Sequence, residues 1–317
     1  MITEDIAKKI LFQPLHEGAD ELYLATSYAT HTMLSWFLTN LELHYHQTLR
    51  VAMIVGMVPY NHLSVTVHDG FCALVKPPYP PQIDKVECSY LYDSPAFHGN
   101  LYIWKKHGVF YKAFMGSAPF VQSAFTRSDV QESMVECDAQ EAWTLYSTLI
   151  GRSVYCNHAE IEEYVQLVPS HPVLDMELNL VSKLDNYESV TLSLVTKNGK
   201  PGSRSGLNWG QRPRRDPNQA YIPLPRPIAQ SGFFPPKNIH FTAITDDRKQ
   251  LTLRVEQQND KAIATPERNS DLGEYFRNRL GLANGVFVTR NDLDAYGRTD
   301  VTFYKLDDET YYMDFSV

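Results

Sequence analysis

The chain has 317 residues, 43% of them hydrophobic and 21% charged, with a formal net charge of −8 at pH 7. That length exceeds what one core usually organises, so two domains are expected, and the composition excludes a disordered or fibrous protein. The acidic balance excludes a protein that coats nucleic acid indiscriminately while leaving room for a local basic patch.

The chain opens on MITEDIAKKI, a polar start without the pattern of a secretory signal, and its apolar run Val51–Val58 is far too short to cross a membrane. The expected compartment is therefore the cytoplasm, with no membrane partner. Cys72, Cys88, Cys137 and Cys156 lack the close pairing of a zinc site, so they are read as reduced and mostly buried, and no metal ligand is assigned. Glu21–Ala25 reads as a short apolar strand. Met33, Leu34, Phe37, Leu38, Leu41 and Tyr45 then recur at helical spacing behind Thr30 as a cap. Val51–Val55 is a second buried-type strand ended by Gly56. Asn61–Val75 is expected to form a short helix before the proline-rich loop Lys76–Pro81, and Val86–Leu91 a further strand.

Tyr92 to Phe125 reads as one β-hairpin. The apolar runs Phe97–Trp104 and Val109–Met115 flank Lys105-Lys106-His107-Gly108, whose glycine supplies a turn conformation without steric cost. Alternation puts His98, Asn100, Tyr102 and Trp104 on one face and assigns Lys112 to the other. Closing the strands brings His98 nearly opposite Ser117. His98 also follows Ser94-Pro95, a restricted and extended approach, and stands beside Gly99, which leaves room for a ligand. Taken alone, these residues fit either an active-site histidine or an ordinary hydrogen-bonded one. Further on, Asp138 with Glu141 reads as a capping box for a helix that stops at Gly151, and Asn157 with Glu160 as another, completing an α/β domain.

His98-x-Asn100 followed by Gly116-Ser117-Ala118 resembles the His-x-Lys … Gly-Ser-x-Asn signature of the phospholipase D superfamily. More narrowly, FHGNLYIW and AFMGSAPF are similar to restriction endonucleases of the NgoFVII type, as are LYLATSYATHTMLSWFL and VAMIVGMVPYNHL, in that order, before them. The family's lysine falls on Asn100 and its asparagine on Pro119, while Glu132 is the candidate for the acidic residue after the motif. The resemblance implies catalytic roles for His98, Asn100, Ser117 and Glu132. The chain holds one such motif and no second copy of the hairpin, so the resemblance implies a homodimer. One histidine would attack phosphorus and the other would protonate the leaving oxygen, chemistry that requires neither metal nor cofactor. Asparagine offers only neutral hydrogen bonds where lysine would stabilise the phosphorane, and charged donors are roughly twice as strong.

A boundary is expected in VPSHPVLDME, giving a nuclease domain at 1–168, a linker at 169–177 and a second domain at 178–317. Ser189–Thr196, Lys237–Ile244, Leu251–Glu256, Asp300–Leu306 and Tyr311–Phe315 read as strands, Asn198-Gly199 as a turn. One helix interrupts them, with Asp271 and Glu274 at its start and Gly281 at its stop. Such a mostly β domain should be a barrel or sandwich. Between Ser203 and Pro227 lie five arginines and one acid, on a stretch whose Gly, Pro and Asn keep it out of regular structure. Exposed arginines on a constrained loop suit phosphate and guanine contacts, with Asn208, Gln211 and Asn218 available for base edges and Trp209 packing the loop down.

GLNWGQR…PNQAYIPLP is similar to the start of the DNA-binding pseudobarrel of NgoFVII-type enzymes, related to the B-three domain of plant transcription factors. That resemblance implies two arms that embrace the major groove. The first carries Arg204, Asn208, Trp209, Gln211, Arg212, Arg214 and Arg215. The second, Thr289–Asp300, carries Arg290, Asn291, Asp292, Arg298 and Thr299, with Asp292 or Asp300 accepting from cytosine. The expected fold is an α/β phospholipase D-like domain followed by a mostly-β DNA-binding pseudobarrel. The expected function is a restriction endonuclease subunit acting on double-stranded DNA as a homodimer. Related systems add a separate helicase-like ATPase subunit, the only place where ATP and Mg would enter. The alternative is a sequence-specific DNA-binding protein whose nuclease site is inactive for want of the lysine at position 100.

Overall fold

The computed structural model describes residues 1–44, 48–168, 184, 186–266 and 268–317. They divide into two compact units, Met1–Asp175 and Met176–Val317. The expected linker 169–177, the start of the second domain at Leu178, and Tyr45 lie outside the described residues.

The first unit contains β1 (Glu21–Thr26), β2 (Leu49–Val55), β3 (Leu63–Ser64), β4 (Ile83–Leu91), β5 (Asn100–Lys106), β6 (Val109–Gly116), β7 (Met134–Cys137), β8 (Ser153–Tyr155) and β9 (Leu167–Val168). Seven of them form one sheet in the order β7-β6-β5-β1-β2-β4-β8, while β3 pairs with β9. The central strands β1, β2 and β4 run parallel and β5 lies antiparallel to β1. Their sequences read as continuous apolar runs because both faces of the sheet are covered. The helices His31–His44 and Val65–Leu74 and the N-terminal helical segment close one face, over Leu22, Leu24, Met53, Tyr102 and Trp104. The helix Ala139–Ile150 closes the other, over Ala25, Ile54, Leu101 and Ile103.

Local signals mark several of the element ends. Thr30 Oγ1 accepts from Met33 N (3.3 Å), and Asp138 accepts from Gln140 N and Glu141 N (2.9 and 2.8 Å). The expected single helix over Asn61–Val75 is instead two pieces, Val58–Asn61 and Val65–Leu74. His62, at φ +61°, and the β3–β9 pairing break it, and Ser64 caps the second piece through Val67 N (3.2 Å). Asn157 caps nothing: the one-turn helix Ile161–Tyr164 follows Glu160, with no side-chain cap. In the hairpin, β5 and β6 close over His107-Gly108, both at positive φ (+52° and +76°), the geometry that two-residue turns require. Asp20 holds that turn, accepting from His107 N (2.9 Å) and lying 2.9 Å from His107 Nδ1.

The second unit contains β10 (Ser189–Ser193), β11 (Ile222–Pro223), β12 (His240–Thr245), β13 (Gln250–Glu256), β14 (Ala262–Ala264), β15 (Asp300–Lys305) and β16 (Thr310–Asp314). They form a sheet in the order β10-β15-β16-β12-β13-β14-β11, whose edge strands approach one another, so that the sheet nearly closes as a pseudobarrel. Inside pack Phe233, Phe234, Phe241, Phe303 and Tyr311, the last donating its hydroxyl to Phe233 O (2.7 Å). The stretch expected as the second arm contains a helix, Arg290–Tyr296. Thr289 and Asp292 form its capping box and Gly297, at φ +102°, ends it. Among the described residues no helix is long and apolar enough to cross a membrane.

Candidate functional site

Strand register assembles the site in the first unit. Thr26 lies opposite Asn100, Asn100 opposite Gly116, and Gly116 opposite Met134. The end of β1, the start of β5, the end of β6 and the start of β7 therefore meet at the carboxyl ends of the parallel strands, where such sheets place their ligands. His98 enters here two residues before β5, exposed, its ring edge-on to Tyr28 at 6.1 Å between centroids. Two anchors fix its approach. Phe97 N donates to Gly56 O (3.1 Å), so close that a Cβ on Gly56 would lie 2.3 Å from Phe97 O. Arg152 donates to Asp93 O (2.9 Å) and Pro95 O (2.7 Å). Among the described residues neither ring nitrogen of His98 has a hydrogen-bond partner.

Asn100 departs from the role expected of it. It is 3% exposed and its amide is fully engaged within the protein. Oδ1 accepts from Thr26 Oγ1 (2.9 Å), Ser27 N (3.0 Å) and Ser27 Oγ (3.0 Å), and Nδ2 donates to Gly116 O (3.2 Å) and Ser117 O (2.9 Å). The side chain is thus a bracket joining the loops after β1 and β6. It does not present a neutral donor to a phosphate. Ser117 Oγ donates to the Glu132 carboxylate and accepts from Ser133 N (2.9 Å), so Glu132 is engaged with Ser117 and not with the His98 ring. Tyr102, whose phenol burial holds well above its ordinary pKa, donates to Ala118 O (2.9 Å) and fixes the turn leading to Pro119.

The lysines of the hairpin lie at its other end. Lys112 pairs directly with Trp104 and so shares the face of Asn100, contrary to the face expected from alternation. It is nonetheless held away by Glu17, 2.6 Å from Nζ, in a cluster with Tyr111 and Gln13 that keeps the Glu17 carboxyl down at about 2. Lys105 Nζ sits over the rings of Trp143, Phe110 and Tyr23 (3.7, 4.6 and 4.8 Å), and Lys106 donates to Glu17 O (2.8 Å). Sequence reasoning missed Thr26, Ser27 and Tyr28, and it missed Arg152. The signal for the first three was available: a polar Thr-Ser-Tyr run directly after an apolar strand.

In the second unit the expected arms sort into bracing and outward-facing residues. Asn208, 0% exposed, is not a base reader: its amide donates to Val288 O (2.8 Å) and Gly202 O (3.1 Å) and accepts from Val288 N (2.8 Å). Gln211 donates to Pro217 O and Gly285 O (3.2 and 3.0 Å), and Asn218 accepts from Gly285 N (2.6 Å) while donating to Glu274 (3.2 Å). Asp292 is consumed by the Thr289 cap. Arg298 binds Asp300, Asp314, Thr302 and Ser316 O, which also occupies Asp300. Arg290 binds Asp294 (2.7 Å) and Gly199 O (2.6 Å), and Thr299 O accepts from Leu194 N (2.9 Å). Arg204, Arg212, Arg214 and Arg215 remain exposed, Arg215 stacking on Trp209 at 4.1 Å, and Asn291 is exposed as well. Arg277 carries no signal in the sequence. It is 0% exposed, with its guanidinium donating to four carbonyls, Val286 O (2.8 Å), Gly273 O (3.1 Å), Leu207 O (3.2 Å) and Pro217 O (3.1 Å).

Residues 4–163 match the profile of the NgoFVII restriction endonuclease N-terminal PLD domain, and residues 182–307 that of the NgoFVII C-terminal B3-like DNA-binding domain. A search of curated proteins gave no significant match. Among solved structures, NucT from Helicobacter pylori is similar with a TM-score of 0.33 and 15% identity, covering 49% of this chain and 96% of that one.

Proposed function

Because the chain belongs to the NgoFVII restriction endonuclease family, we propose that it is a sequence-specific endonuclease subunit that hydrolyses DNA phosphodiesters through His98. The first unit is its phospholipase D-like nuclease and the second its B3-like DNA-binding domain. The observation that carries the assignment of His98 is its placement: an exposed imidazole with both nitrogens open, its approach anchored through Pro95 and Phe97, at the strand ends where Ser117 and Glu132 also converge. A ring nitrogen attacks phosphorus while the leaving oxygen takes a proton from the same histidine of a second copy. Water then cleaves the phosphorus–nitrogen bond and restores the ring. The homodimer follows from that need for two histidines, and the route uses no metal. A helicase-like ATPase subunit, if it joins, brings its own ATP and Mg.

The departures at Asn100 and Pro119 favour a second reading, a sequence-specific DNA-binding protein with an inactive nuclease site. Trapping separates the two. Labelled cognate duplex quenched during turnover in alkaline SDS, where the acid-labile phosphorus–nitrogen bond survives, should leave DNA covalently attached to the native chain and none on His98→Ala. Absence of the adduct, with binding intact, supports the second reading.

A further inference from the structure

In the second unit, the four-residue run Gly285–Val288 is pinned to its surroundings on both sides of one residue. Gly285 N and O bind Asn218 and Gln211 (2.6 and 3.0 Å), Val286 O binds buried Arg277 (2.8 Å), and both backbone groups of Val288 bind the Asn208 amide (2.8 Å each). Yet Val286 and Phe287 are 42% and 41% exposed. Burial of a large apolar side chain is favourable, so a backbone this firmly held is presenting these two residues outward rather than leaving them uncovered by looseness. The same run is braced on the arm that carries exposed Arg212, Arg214 and Arg215, and it leads directly into the Arg290–Tyr296 helix with its exposed Asn291. Two half-exposed apolar residues thus stand among cations and amides.

We infer that Val286 and Phe287 form an apolar reader for a pyrimidine 5-methyl group in the major groove, an inference that rests on DNA recognition by this unit. The surrounding arginines select a phosphate-rich partner, and the apolar group that duplex DNA offers at its base edges is the thymine methyl. A wedge that parts a base step must project beyond its support. Both side chains here lie more than half against the protein, a shape that covers a methyl.

The test uses the full chain and the tightest duplex it selects from a random library, with each thymine replaced singly by deoxyuridine. At one or two thymines the loss of the methyl should weaken native binding about fourfold. Phe287→Ser should bind the thymine duplex more weakly and show no uracil penalty at those positions, while Phe287→Leu keeps both the affinity and the penalty. Three results overturn the inference: no uracil penalty at any position, a penalty that survives in Phe287→Ser, or a Phe287→Ser change confined to self-association. If no duplex is selected, DNA recognition by this unit fails and the inference falls with it, a distinguishable outcome.

Discussion

Asn100 stands where the family pattern has lysine, and its amide joins the backbone ends that build the site. Asn100→Leu would leave Ser27 N and the carbonyls of Gly116 and Ser117 without their partner, so we expect about 2–4 kcal/mol of lost stability by denaturant unfolding. Asn100→Lys makes the same break but adds the positive charge the site lacks. Cleavage per folded molecule should rise, by up to about 100- to 1,000-fold, while the thermal midpoint falls. His31 offers a pH-dependent prediction. It is buried, and burial holds its ring down to about 4. The folded chain keeps it neutral while the unfolded chain takes up a proton below about 6.5, so stability falls as the pH drops from about 6.5 to about 4, by about 3 kcal/mol in all. His31→Gln should flatten that part of the pH–stability curve. At this scale the sequence revealed position but not direction. Alternation correctly put Asn100, Tyr102 and Trp104 on one face, but whether an amide at a strand head faces solvent or a neighbouring loop is decided by residues far away in the chain, here Thr26 and Ser27.

At the scale of elements, the hairpin, the parallel strands and most strands of the pseudobarrel were legible because period and turn chemistry are local. The second arm was not. TRNDLDAYG carries a capping box and a glycine stop, both local signals, but its charges also fit base contacts, and that second pattern masks the helix between them. The bracing of the arms was equally illegible, since Arg277 and Asn208 bind carbonyls from distant segments. Arg277→Met should leave those carbonyls unpaired, cost about 2–4 kcal/mol, and speed hydrogen exchange across Gly206–Gln219 while the sheet stays protected. Arg298 and Arg214 should behave oppositely. Arg298→Ala removes four protein partners and should lower the thermal midpoint with the salt slope of DNA binding unchanged. Arg214→Ala should leave the midpoint in place and, if the arginine binds phosphate, reduce the salt slope by about one.

For the whole molecule, one His98 per chain means that the proposed two-histidine chemistry needs a second copy of the chain. Light scattering on the full chain at micromolar concentration should give a dimer. On the proposed function, His98 cuts DNA, without metal, at sites chosen by the second unit. Digestion of a set of phage genomes in EDTA by the native chain and by His98→Ala, with duplex binding followed in parallel, tests this. Discrete fragments from the native chain, none from His98→Ala, and equal binding by both are expected. Cleavage that survives His98→Ala, cleavage that needs a divalent metal, or specific binding with no cleavage by the native chain would overturn the proposed function.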